Sequence, residues 1–278
     1  MWHGHESAVT IPGRVPLHGV LHGCCDAMAP PWGIVFCDPF AEEKKCAHRV
    51  LVEAARAFCA ADITCLRFDY RGTGDSPGEF VDATPEQWVQ DIAAAVAYAR
   101  EALQLEVVGL LGLRLGGALA VQAAQSAGGV DLLVLWEPVT DGRQFIGQNL
   151  RRSMIKAMMT RGAEFDAHQV RQAHAEEVFD FDGYRVSAET RSQIEALDLQ
   201  EGVPGFTGPS LVVNITSRDQ PNDACRQLAQ ALGGTAVAVR QEPFWNRIGL
   251  VQPQAVLEAT EIWLAEQQAA WMAGRRAN

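Results

Sequence analysis

The chain has 278 residues, 48% of them hydrophobic and 21% charged, with a net charge of −11, a balance that suits a soluble globular fold with a full core. The acidity argues against non-specific binding to nucleic acid or to an anionic membrane, which needs basic patches, and no apolar run approaches the roughly 20 residues of a membrane span. Seven cysteines at irregular spacing read as reduced thiols, and the start MWHGHESAV lacks a charged segment followed by an apolar one, so the expected location is the cytoplasm.

In chain order, residues 9–11 and 17–22 flank a Pro-Gly turn and predict an antiparallel hairpin. Strands and helices then alternate: strand 33–37, helix 43–60, strand 63–68, then a helix that starts at Thr84-Pro85-Glu86 and runs to about Leu103. Strand 105–111, helix 114–126 and strand 132–136 follow. Strands that are apolar throughout and separated by helices imply a parallel sheet covered on both faces. The alternation breaks after Pro138, and residues 139–205 read as a helical, charged insertion without a clear strand. It resumes with strand 211–215, helix 222–232, strand 235–239 and a final helix 253–273. The expected organisation is therefore a core of residues 1–138 and 206–278, with 139–205 as a cap.

The informative stretch is LLGLRLGGALA, residues 110–120, where a strand runs into Gly112-Leu113-Arg114-Leu115-Gly116 and then a helix. This is the G-x-S-x-G outline of a nucleophile elbow with Arg114 in place of serine. FDYRGTGDSPGEF (68–80) looks like the D-x-R-G-x-G-x-S stretch that follows the fourth strand in serine hydrolases, and CDPFAEEKK (37–45) sits where their oxyanion loop follows the third strand. With these motifs the chain resembles the α/β-hydrolase superfamily, of the serine peptidase S33 type, over nearly its whole length. More narrowly, GLRLGG, LWEPVTDGRQFIGQNLRR (135–152) and PFWNRI (243–248) resemble the hydrolase 2 family encoded beside bacterial exosortase A and exopolysaccharide genes.

The resemblance implies a triad in the order nucleophile, acid, histidine. Here those positions read Arg114, Asp219 and Trp245 or Asn246. A guanidinium has no lone pair to offer a carbonyl, no histidine follows the last strand, and an acid has nothing to orient without one. The usual strand order puts the strand ending at Leu111 between those followed by Asp38 and Glu137. A buried cation must be paired, so the expectation is an Arg114–Glu137 ion pair, with Asp38 and Asp219 nearby and the backbone of Leu115 opening the following helix. Phe244 and Trp245 are expected to fill the space an imidazole would leave.

Other residues carry less. His18, His22 and Cys24 share one strand face, which metal ligation could use, but an ordinary hairpin edge explains them and no metal is expected. Cys37 reads as inert packing, Asp69, Arg71 and Asp75 as loop braces, and Trp88, Trp136 and Trp263 as core or cleft lining. Met154, Met158 and Met159, with Arg151, Arg152 and Lys156, are either core-facing with a basic back or a partner surface. No cofactor is expected. The leading reading is a hydrolase-fold protein without serine-hydrolase chemistry, binding a small molecule or a protein partner; the narrower resemblance implies a role in exosortase-linked surface biogenesis. A hydrolase or acyl transferase using Asp38, Glu137 or Asp219 on water, an anion-binding module around Arg114, and a homodimer stay open.

Overall fold

The computed structural model describes residues 5–23, 31–126, 128–161, 178–181, 183–199, 205–247, 249 and 251–277. Ten strands and seven helices are seen among them: β1 (His5–Ile11), β2 (Leu17–Gly23), β3 (Trp32–Cys37), α1 (Glu42–Ala60), β4 (Thr64–Phe68), α2 (Pro85–Glu101), β5 (Val107–Leu113), α3 (Leu115–Ser126), β6 (Leu132–Trp136) and α4 (Gly142–Arg161). Then come β7 (Val178–Phe181), β8 (Tyr184–Ser187), α5 (Ala188–Glu195), β9 (Ser210–Thr216), α6 (Asp223–Ala231), β10 (Thr235–Arg240) and α7 (Gln254–Ala277).

Eight strands form one sheet in the order β1-β2-β4-β3-β5-β6-β9-β10. The β1–β2 and β2–β4 pairs are antiparallel and every pair from β4 to β10 is parallel. The central strands β3, β5 and β6 are buried at every position, as strands covered on both faces must be. One face packs against α1 and α7 through residues such as Phe58, Val256 and Leu264. The other packs against α2, α3 and α6 through Ile92, Leu119 and Leu228. Thr84 caps α2 with a full capping box closed by Gln87, and Pro85 opens the helix.

Of residues 139–205, expected to be helical without a clear strand, Gly142–Arg161 and Ala188–Glu195 are helices, but β7 and β8 lie between them. β7 and β8 pair antiparallel as a two-stranded sheet, with Val178 opposite Ser187 and Phe181 opposite Tyr184. It docks on the core through aromatic rings: Phe181 meets Phe40 edge-on at 5.2 Å, and Tyr184 meets Phe80 at 5.1 Å. The following helix is tied down by the Thr190 hydroxyl, which donates to the Ala83 carbonyl at 2.8 Å. Among the described residues, no helix is long and apolar enough to cross a membrane.

Candidate functional site at the strand ends

β5 lies between β3 and β6, with Cys37 level with Gly112 and Leu113 level with Trp136. The chain turns from β5 into α3 at Arg114, whose φ of 55° lies in the left-handed region, a conformation that costs a non-glycine residue about 1 kcal/mol. The turn is held from both sides. The Arg114 N–H donates to the Trp136 carbonyl at 3.0 Å, and the Arg114 carbonyl accepts from the N–H of Gly117 (3.0 Å) and Val139 (3.1 Å). Two glycines make it possible. A side chain at Gly112 would meet the Gly116 carbonyl oxygen at 2.5 Å, and one at Gly116 would collide with the carbonyl oxygens of Cys37 and Asp38. The elbow backbone is intact around an arginine.

The guanidinium does not pair with the side chain expected for it. Its Nε faces Glu43 Oε1 at 3.4 Å, and Nη1 donates to the backbone carbonyl of Glu137 at 3.3 Å. Its Cζ lies over two aromatic rings, 5.1 Å from the ring centre of Trp245 and 5.7 Å from that of Phe145. The Glu137 carboxylate instead accepts from Ile215 N–H (2.7 Å) and Asn214 Nδ2 (2.8 Å). The reason is the sheet: β9 lies beside β6, so an amide N–H and an Asn side chain are presented to Glu137 before the arginine is.

The remaining carboxylates also find other partners. Asp38 Oδ2 is 2.9 Å from Lys44 Nζ, because α1 starts just past the loop and folds its lysine back over it. Asp219 is an exposed surface residue paired with Arg240 at the end of β10. The expected grouping of Asp38, Arg114, Leu115, Glu137 and Asp219 is therefore not formed as one ion-pair cluster. Trp245 and Phe244 are buried and in edge-to-face contact at 5.4 Å, while Asn246 is exposed.

Glu43, the partner that sequence reading missed, is almost wholly buried, and its Oε2 has no hydrogen-bond partner among the described residues. Burial raises its pKa above the ordinary carboxyl value and Arg114 pulls it only part of the way back. A signal was available: Glu43 falls on the same helical stripe as Ala47, Val50, Ala54 and Phe58, the buried face of α1.

Beside the elbow lies a cleft of about 460 Å³ whose lining includes Asp38, Pro39, Phe40, Lys44, Leu115 and Tyr184. Pro39, in the loop after β3, has no N–H to give. Lys44 bridges Asp38, Asp69 Oδ1 (2.5 Å) and the Thr73 hydroxyl (3.2 Å). Burial on its own would lower the lysine's pKa, but the two carboxylates outweigh it and the net shift is upward. Arg71 and Asp91 form a second brace, with Nε and Nη2 both on Oδ1 at 2.9 and 2.5 Å. Arg114 itself lines a separate pocket of about 250 Å³ with Glu137, Phe145, Gln144, Gln148 and Asn222.

The weaker candidates also have places. His18 brings Nδ1 within 4.0 Å of Asp69 and 3.9 Å of Asp75, and these three offer ligand atoms within 4.8 Å of one another. Lys44 already occupies Asp69, which works against a cation there. His22 is buried, accepts from Arg67 Nε at 3.0 Å and has its pKa pushed down to about 4 by burial and by Arg67. Cys24 lies outside the described residues, as do the side chains of Met154, Lys156, Met158 and Met159. The Cys37 thiol is fully buried, and burial with the Asp38 charge raises its pKa away from the reactive thiolate range.

A family description for serine aminopeptidase, S33, matches residues 40–180, half of the chain, from the loop after β3 through the elbow to β7. The chain belongs to the serine aminopeptidase S33 family. This S33 protein has the α/β-hydrolase fold, shared with Est1E from Butyrivibrio proteoclasticus bound to ferulic acid (TM-score 0.70, 19% identity, covering 94% of this chain and 100% of that one). The proline iminopeptidase of Mycobacterium smegmatis is similar as well (TM-score 0.66, 15% identity, 95% and 99% covered). In sequence, the S33 protein is 31% identical over 101 residues to an uncharacterized 31.7 kDa protein of the traX-finO intergenic region of Escherichia coli. That match spans 36% of this chain and about a third, 35%, of the relative.

Proposed function

We propose that this S33 protein is a non-hydrolytic member of its family that binds a small molecule or protein partner in the cytoplasm, in exosortase- and exopolysaccharide-linked surface biogenesis. The observation that carries the loss of chemistry is Arg114, seated at the elbow with φ 55° and held by Glu43, the Glu137 carbonyl and the Trp245 ring. It supplies neither a nucleophile nor room for an imidazole. The surface-biogenesis role is supported by the resemblance of residues 112–117, 135–152 and 243–248. Hydrolysis through a carboxylate base is disfavoured because Asp38, Glu137 and Asp219 are each engaged by a cation or by amides.

A fluorophosphonate probe is expected to leave the protein unlabelled, and p-nitrophenyl acetate to be turned over no faster than in buffer. Arg114→Ser is expected to be equally inactive, since a serine alone has no base. Stoichiometric labelling of any residue in the native protein, or saturable ester turnover by either form, would overturn the proposal.

A further inference from the structure

We propose that the 460 Å³ cleft beside the elbow binds an aromatic moiety, in preference to a sugar, a small anion or an aliphatic chain. The inference rests on the binding role proposed above and gives it a ligand class. The volume falls within the range of small-molecule pockets, roughly 300–1,000 Å³. Five rings line it: Phe40, Tyr70, Phe80, Trp88 and Tyr184. They already form a network of aromatic contacts, with Phe40 edge-on to Trp88 at 5.9 Å, Tyr70 stacked on Trp88 at 5.9 Å and Phe80 edge-on to Tyr184 at 5.1 Å. A flat ring entering there meets faces and edges at the spacing that aromatic pairs prefer.

The polar groups exclude the rivals. Lys44 is the cation in the cleft wall that is not exposed, and its three N–H groups face Asp38, Asp69 and Thr73, which leaves none for an incoming carboxylate or phosphate. Lys45 and His48 lie at the exposed rim. A sugar needs several convergent hydrogen-bonding side chains; among the described residues no Asn, Gln or Arg lines this cleft, and Asp38 and Thr73 are engaged by Lys44. The Tyr70 hydroxyl is closed off inside the wall against the Cys37 thiol, so the cleft is offered the ring of Tyr70 and not its donor.

The test is isothermal titration calorimetry of the full chain with 4-methylumbelliferone, octan-1-ol, glucose and inorganic phosphate. The phenolic coumarin is expected to bind at one site and to bind tightest. Tyr184→Ala and Phe80→Ala, each changing a half-buried ring at the cleft mouth, are expected to weaken it about tenfold while Tyr184→Phe stays close to wild type. Melting curves identify any variant that fails to fold, and the other ring variant then decides. Equal or tighter binding of octanol, glucose or phosphate, or affinity unchanged in the folded ring variants, overturns the inference. Failure to bind the phenol with no turnover of its acetate ester removes the ligand class alone. Ester turnover with intact phenol binding removes the non-hydrolytic reading alone.

Discussion

Arg114→Ala is expected to lower folding stability at pH 7 by about 3–5 kcal/mol, the usual cost of removing one member of a buried ion pair. On a chain of this size that is on the order of 10 °C in Tm. The cause is the partner left behind. Glu43 is buried with one oxygen already unpartnered, and the guanidinium is the cation that faces the other at 3.4 Å. The two aromatic faces over Arg114 also lose their cation. The sign with pH follows from Glu43, whose folded-state pKa is raised above its ordinary 4.5. A raised folded pKa means stability that is fully present below the unfolded value and lost as pH rises through the folded one. Without Arg114 that pKa moves higher still, so the deficit of the variant is expected to shrink as pH is lowered from 8 to 5. Denaturant titrations at those two pH values measure it. Glu43→Gln in the Arg114→Ala background should recover part of the loss, giving a double-mutant cycle with a clear coupling energy. A variant that melts with the wild type at pH 8 would show the arginine to be solvated and the Glu43 contact to be without consequence.

Arg114→Gly separates this electrostatic term from backbone strain. It removes the same cation but relieves the left-handed φ of 55°, so it should lose about 1 kcal/mol less than the alanine variant.

The elements that were legible in sequence are those fixed by local pattern. Val107–Leu113 is apolar throughout and buried throughout, Thr84-Pro85 with Gln87 starts a helix by its own hydrogen bonds, and the glycines either side of Arg114 mark a turn whose tightness only small residues permit. The order of β3, β5 and β6 follows from the fold those motifs imply. The pairing of β7 with β8 was not read from the sequence, although Gly183, at φ 94°, stands beside alternating residues as a hairpin signal. The surrounding charge made that stretch read as helix. The choice of ion-pair partner was not legible. Asp38, Glu43 and Glu137 all stand near the ends of adjacent elements, and a difference of a few ångströms decides which one meets the arginine. Glu137 was taken by an amide of β9, some 78 residues away in the chain, and Asp38 by a lysine one turn into α1. Glu43 reads in sequence as an acid suited to a helix N-terminus, which hides the fact that its side chain points inward.

The same competition for carboxylates predicts the effect of Lys44→Met. Lys44 holds Asp38 on β3's outgoing loop to Asp69 on β4's outgoing loop, and those loops form part of the aromatic cleft wall. Its side chain is 20% exposed, so the expected loss is about 2–3 kcal/mol at pH 7, below that of a fully buried pair. The pH response is expected to change sign. In the native protein burial would raise the Asp69 pKa, but Lys44 and the Asp75 amide bring it below its ordinary 3.8; that stability is present above 3.8 and lost as pH falls through the lower folded value. With methionine in place of the ammonium, burial and the neighbouring Asp38 dominate and the Asp69 pKa rises. Its contribution then turns unfavourable as pH climbs from about 4 to 7. Lys44→Met should therefore gain on the wild type during acidification from pH 7 to 4, and 4-methylumbelliferone affinity should fall as the two loops separate. Parallel pH–stability curves for the two proteins would show that the lysine is a surface charge with no hold on the cleft.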